Sequence, residues 1–132
     1  MATSSVPHRA VKTGTARQLT LTKEAAVPWI ILIAAGVFET VWAYYMKLSD
    51  GFTRLGPTLA TFAAMAVSIG LLGVAMKSLP LGTAYSVWTG IGAVGAFVVG
   101  IVVLGEAASP MRVLAAALIV GGLVLMKVSS PA

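Results

Sequence analysis

Cysteine is absent from the chain, and its single histidine, His8, lies in a polar stretch near the start. The first absence excludes disulfides, thiolate metal sites and thiol catalysis, and one histidine cannot assemble a ligand set alone. No metal site and no cofactor are expected. Charge is scarce too: Asp, Glu, Lys and Arg make up 10% of the residues, against about 25% in a soluble domain. Hydrophobic residues fill 58% of the 132 positions instead, which describes an integral membrane protein. The net charge of +5 does not point to nucleic acid. The Lys and Arg residues sit in the N-terminal stretch and at the ends of apolar runs, where headgroup-facing cations belong. The glycines lie inside an apolar span without a Gly-Lys-Ser/Thr ending, so no phosphate loop is read from them.

Four apolar runs approach bilayer length, which needs about 20 residues: Pro28–Met46, Pro57–Met76, Thr83–Leu104 and Val113–Met126. Short connections separate them. "KLSDGFTRLGP" carries an Asp-Gly turn, "KSLPLGT" has Pro80 and Gly82, and "GEAASPMR" offers Ser109 as a cap with Pro110 at the first helical position. The expected fold is all-α: two consecutive helical hairpins in one transmembrane domain, residues 27–132. Residues 1–26 are rich in Ser, Thr and basic residues and lack an apolar core, so they read as a disordered tail rather than a cleaved signal.

Loop charge bears on orientation. Leaving out the tail, the face bearing the N-terminus receives Lys77 and Lys127, and the opposite face receives Lys47, Arg54 and Arg112. So near a tie permits insertion either way up, and two opposed copies would form an inverted pair. Arg9, Lys12, Arg17 and Lys23 add to the N-terminal face and favour its retention in the cytoplasm. Either the tail biases the topology, or translation starts at the codon for Val27, the preferred reading.

Glu39 stands in the middle of the first run, where an acid costs about 2.5–3.5 kcal/mol to insert. An intramembrane acid is a functional residue by default, able to take up a proton or hold a cation; the alternative is glue between helices. Gly36 and Trp42 lie three residues to either side and share its face. Trp42 offers an indole N–H to a carboxylate and a ring face to a flat cation. In the second run Ser68 is the polar residue nearest the midpoint, able to bond Glu39 or its own preceding turn, and Met65 lies one turn earlier as a soft apolar wall. In the third run Tyr85 and Trp88 share a face, followed by Gly90, Gly92, Gly95 and Gly100, a density that permits close contact and a bend. The fourth run has no polar residue at depth. Its Gly121 and Gly122 suit helix association, and Glu106 and Arg112 before it are expected to pair weakly. One acid without a histidine or metal set lacks a nucleophile–base pair, so no enzyme is expected.

The segments "GVFETVWA", "GFTRLGPT", "AMKSLPLGTAYSVWTGIGAVGA" and "GEAASPMR" together resemble the small multidrug resistance family of proton-coupled exporters, in order, from Val27 to Val128. The resemblance implies four helices per chain, an antiparallel homodimer of dual topology in a bacterial inner membrane, a central glutamate shared by protons and cations, and a hinge in the third helix at Gly90 and Gly92. Trp42 with Ser68 and "WTGIGAVGA" is similar to the guanidinium exporter branch; branches that export bulky drugs carry a small residue where Trp42 stands. Carried over by position, Glu39 binds guanidinium and protons, Trp42 and Ser68 orient the carboxylate by hydrogen bonds, Tyr85 and Trp88 line the pocket, and Gly36 keeps it open. Guanidinium suits such a site, since its fork of N–H donors matches a carboxylate bidentately and its faces stack on aromatics. The rival readings are a broad exporter of quaternary ammonium drugs and a non-transporting membrane subunit.

Overall fold

The computed structural model describes residues 8–130, with side chains from residue 14 onward. Residues 1–7 of the expected tail, and the side chains of His8, Arg9 and Lys12, lie outside the described residues. The elements are four α-helices: α1 (His8–Leu48), α2 (Leu55–Ala75), α3 (Leu81–Val102) and α4 (Pro110–Ser129). Each contains a window apolar enough to cross a membrane, with mean hydropathy of 1.7 to 2.0, and α2, α3 and α4 hold 20 to 22 residues.

Helix α1 is the exception in length. Its 41 residues span about 60 Å at 1.5 Å per residue, twice the roughly 30 Å hydrocarbon core. The polar stretch ahead of Pro28 therefore continues the helix where the sequence suggests an unstructured tail. Residue type accounts for it: from Thr15 to Val27 there is no glycine or proline, and Ala, Arg, Gln, Leu, Lys and Glu are good helix formers. Residues 14–27 are exposed throughout.

The core joins three helices. Trp29, Leu32 and Ala35 of α1 meet Leu72, Ala75 and Leu79 of α2 and its end, and Ala84 and Val87 of α3. These residues recur every three or four positions, which keeps them on one face of each helix. Exchanging lipid contact for protein contact yields little hydrophobic free energy, so close packing of small residues and interhelical hydrogen bonds hold such a bundle. Helix α1 packs against both α2 and α3, while the backbone of α4 runs beside α3 alone. No residue of α4 is buried. Its tie back to α1 is Lys127, whose ammonium lies 4.0 Å from the centroid of the Trp29 ring.

The connections follow their turn chemistry. Between α1 and α2, Asp50, Gly51 and Phe52 all take the left-handed backbone region. The fully buried Ser49 organises that turn: its hydroxyl donates to the Met46 carbonyl at 2.6 Å and accepts from the Phe52 N–H at 3.1 Å. Before α4, Gly105 is left-handed at φ 70°. Ser109 then caps the helix through the Arg112 N–H, with Pro110 opening the first turn, as the sequence predicts.

Candidate functional site

Glu39 projects from α1 onto α3. Its carboxylate rests over Gly92 so closely that a β-carbon at position 92 would overlap Oε2 and Cδ. The neighbouring turns repeat the arrangement. A β-carbon at Gly36 would come within 2.6 Å of Ile91 Cγ2, and one at Gly95 would overlap the Thr40 hydroxyl. The two helices thus close through three steps in which a glycine receives a side chain: Gly36 with Ile91, Gly92 with Glu39, Gly95 with Thr40. Thr40 satisfies its own hydroxyl on the Gly36 carbonyl at 3.3 Å.

Two polar atoms in this region are buried without a protein hydrogen-bond partner, Glu39 Oε2 and Trp42 Nε1. One is an acceptor and the other a donor, on side chains three residues apart and hence on one face of α1. A buried polar group left unpaired costs about 1–3 kcal/mol; the indole N–H of Trp29, ten residues before Glu39 on α1, is buried and unpartnered as well. Other buried hydroxyls are satisfied: those of Ser49 and Thr61 bond to backbone within 2.8 Å.

Ser68 is fully buried and lies at a junction. Its hydroxyl donates to the Ala35 carbonyl at 2.7 Å and accepts from the Trp88 indole N–H at 2.9 Å, linking α2 to α1 and α3. The sequence suggests Glu39 as its partner; in the structure Ser68 instead bonds the backbone one turn before Glu39 and anchors Trp88. Trp88 is half-buried and its ring centroid is 5.5 Å from that of Tyr85. Tyr85 itself is 53% exposed and lines a groove between α3 and α4 together with Gly90 and Gly122. Met65 is half-buried on α2.

The glycines divide by what faces them. Gly90 admits α4, since a β-carbon there would overlap Leu123. Gly121 and Gly122 have nothing within 4 Å of an added β-carbon. Helix α3 is continuous through Gly90 and Gly92. Thr40 and Gly95 belong to the α1–α3 contact; the sequence marks Gly95 for close helix contact, and Thr40 escapes it. The available signal was the three-residue spacing of Gly92 and Gly95 opposite an acid and a threonine adjacent in α1. Among the described residues no three His, Cys, Asp or Glu side chains come together.

Four helices long and apolar enough to span a membrane, one of them carrying a buried acid against its neighbour, define a small multi-pass membrane protein. The chain belongs to the Small Multidrug Resistance protein family, which it matches over residues 27–119. It is 59% identical over 102 residues to the Guanidinium exporter of Escherichia coli strain K12, covering 77% of this chain and 97% of that one. The Guanidinium exporters of Citrobacter freundii and Salmonella typhimurium are each 57% identical over the same shares. With its four spans and bacterial relatives, this is a multi-pass protein of the bacterial inner membrane.

Proposed function

We propose that the chain is a proton-coupled guanidinium exporter in which Glu39 is occupied in turn by a proton and by guanidinium. The observation that carries this reading is the pair of buried, unpartnered atoms Glu39 Oε2 and Trp42 Nε1, in a chain 57–59% identical to proteins named Guanidinium exporter. A carboxylate accepts two parallel N–H bonds from guanidinium, and an indole one turn away can donate to that carboxylate or stack on the cation. Gly92 gives the side chain its room, while Gly36, expected from sequence to keep the pocket open, is filled by Ile91. The role of Ser68 in this scheme is to hold Trp88, and through the Ala35 carbonyl to fix the turn of α1 that precedes Glu39.

Competition for one carboxylate supplies the coupling. Guanidinium leaves when protons arrive from the side where they are abundant, so an inward proton gradient drives outward cation movement without ATP. Helix α4, none of whose residues is buried, with open Gly121 and Gly122, supports a second copy as the partner. An antiparallel pair would bring two Glu39 side chains to one chamber, and the glycines of α3 would allow access to alternate between the two sides.

Reconstituted protein tests the reading. Guanidinium added to proteoliposomes should drive saturable proton movement, lost in Glu39→Gln while the protein remains folded. Transport of tetraphenylphosphonium in preference to guanidinium would favour the broad drug exporter instead, and full activity in Glu39→Gln would rule out the shared-site mechanism.

A further inference from the structure

A second guanidinium–carboxylate arrangement lies away from Glu39, and both of its partners are protein. Arg112, in the first turn of α4, holds its guanidinium 3.6 Å from Glu106 Oε2 and 5.4 Å from the centroid of the Phe97 ring. The carboxylate and the aromatic face thus present to an arginine head the two features that suit free guanidinium. The arrangement is built rather than incidental. Glu106 folds back against α3, where a β-carbon at Gly100 would come within 2.6 Å of Oε2, and its N–H donates to the Gly100 carbonyl at 2.9 Å. Arg112 is held by a 2.5 Å bond from its guanidinium to the Ala107 carbonyl.

This cluster stands at a cavity of about 340 Å³ between α1, α3 and the start of α4. The cavity runs from Lys47, Glu106 and Arg112 at one end to Thr40 and Ala93 at the other, residues adjacent in sequence to Glu39 and Gly92. Glu39 itself does not line it. The charged end is open, with the Arg112 and Glu106 side chains 46% and 43% exposed, so their attraction is the weak one of a solvent-screened pair. An incoming cation of the same shape and charge can compete for that carboxylate.

We propose that Glu106, backed by Phe97, is an outer guanidinium station at the mouth of this cavity, with Arg112 as a resident placeholder that free guanidinium displaces. The proposal rests on guanidinium being the substrate, and it adds a first docking point between water and Glu39. Displacement frees Arg112, which caps no other carboxylate among the described ion pairs.

The test uses the full chain in lipid nanodiscs carrying Glu39→Gln, so that the central site is silent, with the Arg112 Nε–H resonance followed by NMR and assigned by its loss in Arg112→Lys. Guanidinium should shift that resonance saturably, and tetramethylammonium at equal ionic strength should not. The response should vanish in Glu39→Gln/Glu106→Gln and persist, weakened, in Glu39→Gln/Glu106→Asp, which keeps the charge and guards against misfolding as the cause. Isothermal titration of Glu39→Gln/Arg112→Gln, which lacks the reporter, should show guanidinium bound about two- to fivefold more tightly than in Glu39→Gln, the weight of an exposed ion pair. No saturable shift, an equal shift with tetramethylammonium, or a shift that survives Glu106→Gln overturns the proposal. Failure of the exporter reading is separate: the Arg112 response would remain while wild-type proteoliposomes carried no guanidinium.

Discussion

Gly92 forms the seat of the Glu39 carboxylate: the acid on α1 occupies the space that a β-carbon on α3 would fill. The position of the acid is thus set by a missing methyl group on a neighbouring helix. Replacing Gly92 with Ala should displace the carboxylate and lower guanidinium affinity by about tenfold, equivalent to ~1.4 kcal/mol. Gly73→Ala on α2 meets nothing within its own chain and should leave that affinity unchanged. Guanidinium titrations of the two variants, with insertion checked by circular dichroism, make the comparison.

Ser68 carries two interhelical bonds at once. Ser68→Ala should destabilise the bundle by about 0.6–1.7 kcal/mol, the range for interhelical hydrogen bonds in membranes, with the Trp88 indole left unpaired. In the Ser68→Ala background Trp88→Phe should then cost less than it does alone. Thermal unfolding in detergent of the two single variants and the double variant measures the coupling; strictly additive costs would mean that the 2.9 Å contact contributes nothing.

The basic residues ahead of Pro28 should control orientation. With Arg9, Lys12, Arg17 and Lys23 present, the N-terminal face holds the larger share of Lys and Arg; replaced by Gln, they leave Lys77 and Lys127 against Lys47, Arg54 and Arg112. The charge rule then predicts that the full chain favours one orientation, which limits antiparallel pairing, and that the neutralised variant inserts in both orientations, as the antiparallel pair requires. Because the chain has no cysteine, single cysteines introduced in the loops can be labelled from either side to count the two populations.

Much of the fold was legible because membrane insertion is a local constraint. Apolar runs, Ser109 with Pro110 and the Asp50–Gly51 turn each announce themselves within a few residues. The overhang of α1 was less so, because composition suggested a tail while propensity alone extended the helix. Glu39 stood out as an acid in oil. Its seat on Gly92 did not, nor did the bond of Ser68 to Ala35 rather than to Glu39. Both depend on the register between helices, which no spacing within one helix encodes. Gly92 and Gly95 read from sequence as permitting close contact and a bend; the structure shows the contact, each receiving a side chain of α1, in a helix that runs on without a break.

The most direct measurement is guanidinium affinity of the reconstituted protein as a function of pH. If a proton and the cation exclude one another at Glu39, affinity falls on acidification, toward tenfold per pH unit for each proton displaced, and Glu39→Gln abolishes both tight binding and its pH dependence. Guanidinium binding of undiminished strength from neutral to acidic pH, or an unchanged pH profile in Glu39→Gln, would contradict it.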